Sequence, residues 1–360
     1  MGAERETSNA VSIGRRALAK MGAGAGVTAS VGTQLMAMGT TPKIALEEHF
    51  AAPELDERGL VAKPPPARRN ALFAEIERRL FDLDEMRLEA MDRASIDLCV
   101  LSVTIPGVQG EKDTQAAIEL ARVANDRLAR HVQKRPQRYA GFAHLPMQDA
   151  AAAATELQRC IKDLGFKGAL INGQTNGHYL DEERYFAFWE RVEELDVPIY
   201  LHPGLMAGQP AMFADHPELT GPIWGWSADT GAHALRLVFS GTFKRFPKLK
   251  IILGHMGETL PFFLWRFDSR FQLQAGGHVP PDALPSAIIK RHFLITTSGV
   301  CDPHALADAI AVMGEDSVMF SVDYPYEDSQ IAADFIESAS LSEAQRDKIC
   351  HGNAKRLLRL

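Results

Sequence analysis

The chain has 360 residues, of which 46% are hydrophobic and 24% charged, a composition typical of a globular protein with a sizeable core. Its formal net charge of -7 provides no basic field for a nucleic acid, so no such partner is expected. Four widely spaced cysteines without a C-x-x-C pattern exclude a zinc knuckle and a disulfide framework, and we expect reduced thiols at Cys99, Cys160, Cys301 and Cys350.

The segment 1–42 differs in composition from the rest of the chain. Arg15 and Arg16 precede a weakly apolar stretch rich in Gly and Ala, an arrangement typical of a twin-arginine export leader. The stretch is too weakly apolar to anchor in a membrane, and no membrane partner is expected. A mobile N-terminal extension without a sorting role is the alternative. The sequence therefore predicts a cytoplasmic protein, or a periplasmic one if the leader is real.

From Lys43 onwards, short apolar runs alternate with longer runs of helical period. Eight strands are predicted, over Lys43–His49, Asp97–Val103, Tyr139–Leu145, Lys167–Asn172, Pro198–His202, Leu249–His255, His292–Ser298 and Ser317–Asp323. Helices are predicted over Asp113–Gln133, Ala150–Leu164, Glu182–Leu195, Ser227–Phe243, His304–Met313 and Asp328–Ser338. This alternation predicts an α/β fold, a single (β/α)8 TIM barrel over 43–360. A two-lobed doubly wound sheet is the rival, but no linker divides the chain.

Polar side chains stand at the ends of several predicted strands, where parallel barrels carry their chemistry. The first strand ends with Glu47, Glu48 and His49, and alternation by two places Glu47 and His49 on one face. The fifth strand ends at His202 and the eighth at Asp323. A lone buried histidine is usually a hydrogen-bonded core residue, but buried charges that converge need a cation. The set predicts one divalent metal ion such as Zn²⁺ or Mn²⁺, and no organic cofactor is expected.

Four runs, 43–50, 200–203, 251–258 and 320–325, resemble the amidohydrolase superfamily, and more narrowly its metal-dependent, non-oxidative decarboxylases of γ-resorcylate and 2,3-dihydroxybenzoate. Runs 166–173 and 352–356 extend the resemblance over the whole of 43–360. The resemblance implies a (β/α)8 barrel that is often a homo-oligomer, a dimer or tetramer. It implies one metal held by Glu47, His49, His202 and Asp323, and a catalytic role for His255.

The sequence departs from the wider superfamily at two positions. That superfamily usually has His-x-His on its first strand and a modified lysine on the fourth strand that bridges two metals. Here Glu47 replaces the first histidine, and the fourth strand ends with Asn172, while Lys167 lies at its amino-terminal end. A two-metal hydrolase is therefore disfavoured.

A decarboxylase of a hydroxybenzoate-type aromatic acid must place a proton on the ring carbon that loses CO2. Asp323 is predicted to be that acid, with His255 to balance charge or pass the proton and Glu258 to orient His255. The substrate, a small aromatic carboxylic acid, is predicted to contact Asn172 and Tyr324.

Arg266 is predicted to grip the substrate carboxylate as a two-donor fork, and its alternative is an ion pair with an acid such as Asp268 on its own helix.

Two other functions use the same residues. The metal site can activate water, with Asp323 as general base, to hydrolyse an amide, ester or lactone. A binding protein with a structural metal is a third hypothesis, and it requires a closed four-ligand shell.

Overall fold

The computed structural model describes residues 40–63, 69–208 and 210–360. The predicted leader, with Arg15 and Arg16, lies outside these residues, so export stays a prediction. Residues 40–360 form one compact unit.

Within the described part of 40–360, eight parallel strands form the centre of the fold. They are β1 (Lys43–Phe50), β2 (Ile96–Val103), β3 (Tyr139–Gly141), β4 (Ala169–Asn172), β5 (Ile199–His202), β6 (Ile251–Leu253), β7 (Phe293–Thr296) and β8 (Val318–Met319). Hydrogen bonds join them in the orders β1-β2-β3 and β4-β5-β6-β7-β8. Isolated parallel bridges between Ala143 and Ala169 and between Glu48 and Tyr324 join the two sheets at both edges. The ring of strands is thereby closed, and the predicted TIM barrel is confirmed.

Helices fill the connections between the strands. They are α1 (Pro53–Asp56), α2 (Ala71–Phe81), α3 (Met86–Arg93), α4 (Thr114–Lys134), α5 (Ala150–Lys162), α6 (Phe186–Leu195), α7 (Gly225–Phe239), α8 (Thr242–Arg245), α9 (His255–Glu258), α10 (Leu264–Gln274), α11 (Pro285–His292), α12 (Pro303–Met313), α13 (Ser329–Ser338), α14 (Glu343–Asp347) and α15 (Asn353–Leu358). None of the described helices is both long and apolar enough to span a membrane.

Four of these helices begin at an aspartate that the sequence places just after a strand or loop. The side chains that accept hydrogen bonds from the first-turn backbone N–H groups are those of Asp113, Asp149, Asp302 and Asp328. Such N-caps satisfy N–H groups that have no partner within the helix, which is why these helix starts follow from the sequence.

Several predicted elements are longer than the observed ones. β8 ends at Met319 rather than at Asp323, since the N–H of the next residue, Phe320, donates to the carbonyl of Ile349 at 2.8 Å instead of to a neighbouring strand. The predicted helix Ser227–Phe243 is two helices. α7 ends at Phe239, because Gly241 has a φ of +85° and starts α8 in a new direction.

The interior of the barrel is packed with apolar side chains at its amino-terminal end. Ile44 and Leu46 of β1 pack there with Tyr200 of β5 and with Ala354 and Leu358 of α15. A second, larger cluster lies between the strands and the surrounding helices. Polar chemistry is thus left to the carboxyl ends of the strands.

Candidate active site

The four predicted metal ligands come together at the carboxyl ends of β1, β5 and β8. One ligand atom each from Glu47, His49, His202 and Asp323 lies within 4.8 Å of the other three. Nε2 of His202 is 3.1 Å from Oε1 of Glu47, and Nε2 of His49 is 3.2 Å from Oδ1 of Asp323. Atoms that share one ion at about 2.0–2.2 Å lie roughly 3 Å apart, so these spacings fit a single ion. We call these four residues the metal cluster.

Three atoms of the metal cluster have no hydrogen-bond partner among the described residues. They are Oε1 of Glu47, Nε2 of His49 and Oδ1 of Asp323, and all three are buried. Burying polar atoms without partners is costly, and a cation at their centre satisfies them together. Imidazole nitrogens with carboxylate oxygens suit a borderline to hard divalent ion. The donor set therefore fits the predicted metal.

The ring of His202 is oriented by two acceptors. Its Nδ1 lies 2.7 Å from the carbonyl oxygen of Pro203 and 3.1 Å from Oδ1 of Asn172. Because both partners are acceptors, Nδ1 carries the proton and the lone pair of Nε2 faces the metal cluster. Gln109 in turn holds the backbone of Asn172, accepting from its N–H at 2.7 Å and donating to its carbonyl at 3.1 Å. Asn172 thus supports a ligand, while its own Nδ2 is buried without a partner among the described residues.

The carboxylate of Glu47 is fixed by hydroxyl groups that the sequence analysis did not assign to the site. Tyr200 and Ser298 both donate to its Oε2. Burial opposes the charge of Glu47, but His255, His202 and His49 outweigh it and hold the pKa of this carboxyl well below its usual range. The spacing of two residues between Tyr200 and His202 on β5 was the available signal, since both then face the interior.

His255 and Glu258 lie beside the metal cluster and form a group with its member Asp323. Nδ1 of His255 is 2.7 Å from Oε1 of Glu258, and its Nε2 is 3.7 Å from Oδ2 of Asp323. Burial works against a charge on His255, but Glu258 and Glu47 raise its pKa well above its usual value. The ring of His255 therefore lies between an orienting carboxylate and the predicted acid.

The same three residues adopt left-handed backbone conformations. The φ angles are +48° at His255, +52° at Glu258 and +78° at Asp323. Such angles are uncommon outside glycine and concentrate at functional sites, where the surrounding fold enforces them.

The other two predicted substrate-binding residues, Arg266 and Tyr324, do not share the surroundings of Asn172. Arg266 is exposed on α10, and no hydrogen bond or ion pair joins it to the described residues. Asp268, its alternative partner, instead accepts from the N–H and the hydroxyl of Ser286.

Tyr324 is buried, and its ring packs under the guanidinium of Arg87. The tyrosine beside the metal cluster is Tyr326, whose ring centroid is 5.8 Å from that of His49. Its hydroxyl bonds to Thr104 at 2.5 Å. The sequence analysis did not assign Tyr326 to the site, because the irregular backbone after β8 breaks the alternation that assigns faces to strand residues.

Comparison with known proteins places this geometry in a family. Residues 49–360 match the family model described as Amidohydrolase. A γ-resorcylate decarboxylase of Polaromonas sp. is 43% identical over 328 residues, which cover 88% of this chain and 98% of that protein. The crystal structure of a 2,6-dihydroxybenzoate decarboxylase complexed with 2,6-dihydroxybenzoate has a TM-score of 0.80 at 43% identity, with 89% of this chain and 100% of that chain covered.

A dihydroxybenzoic acid decarboxylase from Polaromonas sp., with bound manganese and the inhibitor 2-nitroresorcinol, has a TM-score of 0.79 at 44% identity, with 89% and 97% of the two chains covered. Together with the barrel and its metal-binding cluster, these matches show that the chain belongs to the amidohydrolase family. Within that family it belongs to the decarboxylase branch and is an enzyme of the carboxy-lyase class.

Proposed function

We propose that this enzyme decarboxylates a hydroxybenzoate-type aromatic acid without an oxidant, using one divalent ion held by Glu47, His49, His202 and Asp323 and no organic cofactor. The observation that supports the proposal is the set of metal-cluster atoms without hydrogen-bond partners among the described residues. His255 lies beside these atoms, with its Nε2 towards Asp323. Relatives named for 2,6-dihydroxybenzoate and a neighbour with bound manganese make these the first substrate and metal to test, with Zn²⁺ the other candidate ion.

A bound divalent ion would supply Lewis-acid polarisation and an anchor for substrate oxygens. Asp323, in its protonated form, donates a proton to the ring carbon that bears the carboxylate. The carbon–carbon bond then breaks, its electron pair returns to the ring and CO2 leaves. His255 lies with Nε2 towards Asp323 and returns a proton to it, while Glu258 keeps the imidazole in this orientation.

The substrate ring is proposed to lie against Tyr326 rather than Tyr324, since the ring of Tyr326 is beside His49 and that of Tyr324 packs on Arg87. The buried Nδ2 of Asn172 is a free donor for an oxygen of the substrate. Arg266 keeps its proposed role in gripping a carboxylate, because its fork is not engaged elsewhere among the described residues.

A homo-oligomer, a dimer or tetramer, is also proposed. Large apolar side chains are exposed on and just before α10, with Phe262 at 60%, Trp265 at 78% and Leu273 at 68% exposure. Several large exposed apolar side chains on one segment favour a protein interface. Light scattering after size-exclusion chromatography measures the mass, and a monomer at micromolar concentration would contradict this part.

The decisive experiment is product analysis in D2O. Metal-loaded enzyme with 2,6-dihydroxybenzoate should release CO2 and give resorcinol with one deuterium on the carbon that carried the carboxylate. The Asp323→Asn variant should retain metal while turnover falls by about 10² to 10⁴, the usual contribution of a general acid. The hydrolase would be favoured instead if a panel of hydroxybenzoates released no CO2 and if amides or esters gave an acid and an amine or alcohol.

The location of the protein is proposed from residues 1–42 alone. A working leader places the enzyme in the periplasm, and a non-sorting extension leaves it in the cytoplasm. Fractionation of cells that express the natural chain and an Arg15→Lys/Arg16→Lys variant separates the two. Loss of periplasmic protein in the variant supports export, and full-length cytoplasmic protein in both ends the export proposal.

A further inference from the structure

The barrel closes between β1 and the segment after β8, directly at the metal cluster. The N–H of Asp323 donates to the carbonyl of Glu47 at 3.0 Å, and the N–H of His49 donates to the carbonyl of Tyr324 at 2.7 Å. These two bonds join the strand that carries two ligands to the segment that carries a third. The relative position of the two segments therefore sets the distance between the ligands.

Arg87, on α3, lies behind this closure. Its side chain is 1% exposed, and its Nη2 donates to the carbonyl oxygen of His49. Its guanidinium carbon is 4.4 Å from the centroid of the Tyr324 ring. One buried cation thus contacts a metal-ligand residue on one segment and the neighbour of Asp323 on the other.

Glu48 adds to the same contact from β1. Its Oε1 accepts from the N–H of Val322 at 3.1 Å and lies 3.4 Å from the hydroxyl of Ser321, so it holds the backbone just before Asp323. Glu48 and Arg87 therefore both connect β1 to the segment after β8.

The energetics argue against a purely stabilising role for Arg87. Its Nε and Nη1 have no hydrogen-bond partner among the described residues, although both are buried. A buried cation with an incomplete set of hydrogen bonds is often no more stabilising than an apolar side chain of similar volume. Stability alone would be served as well by methionine at this position.

We infer that Arg87 is a positioning residue for the metal centre: it fixes the backbone of His49 against the Tyr324 ring and so holds Glu47, His49 and Asp323 at ligand spacing. The inference rests on the proposed metal site. Removal of a group that orients metal ligands typically lowers metal affinity by about 10- to 100-fold. We expect a loss of that size for Arg87→Met.

The test measures the Mn²⁺ dissociation constant of chelator-stripped protein by competition with a coloured chelator, the Mn²⁺ EPR line shape, and the Tm of the metal-free protein. Arg87→Met should bind Mn²⁺ about 10- to 100-fold more weakly and change the line shape, while the metal-free Tm stays close to that of the wild type. Arg87→Lys should recover part of the affinity, because it keeps the charge and a donor but not the planar fork.

Arg159 on α5 provides the matched control. It is 19% exposed and pairs with Glu156 and Asp126, outside the metal cluster. Arg159→Met should lower the Tm and leave the Mn²⁺ dissociation constant unchanged.

If Arg87→Met does not fold, the double variant Arg87→Met/Glu48→Gln replaces both buried ionisable side chains and is compared with Glu48→Gln alone. Weaker Mn²⁺ binding in the double variant supports the inference. Equal Mn²⁺ binding in a folded variant without Arg87 overturns it. A wild-type protein that binds no Mn²⁺ or Zn²⁺ contradicts the proposed metal site instead, so the two failures are distinguishable.

Discussion

Buried histidines lie near the ends of β3 and β5, but the regions around them are built differently. Beside β3, Nε2 of His144 accepts from the N–H of Val108 at 2.7 Å, and the backbone of His144 exchanges two hydrogen bonds of 2.9 Å with the side chain of Asn125. Asn125 also donates to Glu156 at 2.8 Å. We call His144, Asn125 and Glu156 the β3 cluster.

In the β3 cluster, polar groups bond to the backbone or to each other, whereas in the metal cluster three open atoms face one another. Nδ1 of His144 also lacks a partner among the described residues, but no other open donor converges on it. The difference shows that burial alone does not identify a histidine as a metal ligand. Several atoms that lack hydrogen-bond partners and lie close to one another do identify a metal site.

The largest expected effect comes from removing one histidine from each cluster. His202→Ala should abolish metal binding at micromolar ion concentrations and reduce decarboxylation to background, because one of four ligands is lost. His144→Ala should keep metal binding and lose about 1–3 kcal/mol of stability, since the N–H of Val108 is left buried without a partner. Metal analysis and urea unfolding are measured for both variants. Equal metal content in the two would contradict the distinction between the metal cluster and the β3 cluster.

The pH dependence of the free energy of unfolding tests the β3 cluster. Burial lowers the pKa of His144 from 6.5 to about 4, so the folded protein keeps this imidazole neutral. The unfolded chain takes up the proton first as the pH falls. The stabilising contribution is therefore complete above pH 6.5 and is lost between about 6.5 and 4, and it amounts to about 3 kcal/mol.

Urea unfolding of metal-free protein between pH 4 and 7 measures this contribution. His144→Gln should show a shallower fall in stability over that interval than the wild type. If the stability of the two proteins falls in parallel with pH, His144 has the same pKa in the folded and unfolded states.

A smaller effect is expected at Gly254, which lies against the metal cluster. A Cβ there would be 2.6 Å from Oε2 of Glu47 and 3.0 Å from Oγ of Ser298. Gly254→Ala should displace Glu47 and weaken Mn²⁺ binding by about 10-fold, as for loss of a group that orients a ligand. Gly221→Ala is the control, because no atom of the described residues, apart from its two chain neighbours, lies within 4 Å of its added Cβ. Isothermal titration with Mn²⁺ compares the two variants. Equal Mn²⁺ affinities would show that Glu47 can move without loss of metal binding.

The smallest effect on folding is expected at Arg266, which belongs to neither cluster. Arg266→Ala should change the free energy of unfolding by less than about 0.5 kcal/mol, because the side chain is exposed and unpaired among the described residues. If Arg266 grips the carboxylate, KM rises while the metal content stays the same. An unchanged KM would remove Arg266 from the proposed substrate site.

The eight strands and the starts of α4, α5, α12 and α13 could be predicted from sequence, because alternation and N-cap aspartates are local signals. The metal cluster could be predicted because strand ends converge in a parallel barrel, so position within a strand fixes position in space. Alternation pairs Glu47 with His49 and separates both from Glu48. Their inward direction also depends on a register shift in β1 between Ala45 and Glu48, because Ile44 and Leu46 face the interior as well.

Other parts of the site have no local signal. Arg87 lies on a helix within the β1–β2 connection, and only the tertiary fold brings it to His49. The faces of Tyr324 and Tyr326 depend on an irregular backbone after β8, where strand periodicity does not apply. The sequence similarly gives no sign that Asn172 bonds to His202, because the contact depends on the register between β4 and β5.

The closure of the barrel has a consequence for biosynthesis. A ribosome delivers the chain from its amino end, so β1 emerges long before the segment after β8 with which it pairs. Ala354 and Leu358, which complete the packed interior against β1, emerge after all eight strands. The nascent barrel therefore exposes apolar strand faces until this segment has emerged, and a metal ion can find its complete ligand set only after Asp323 has left the ribosome.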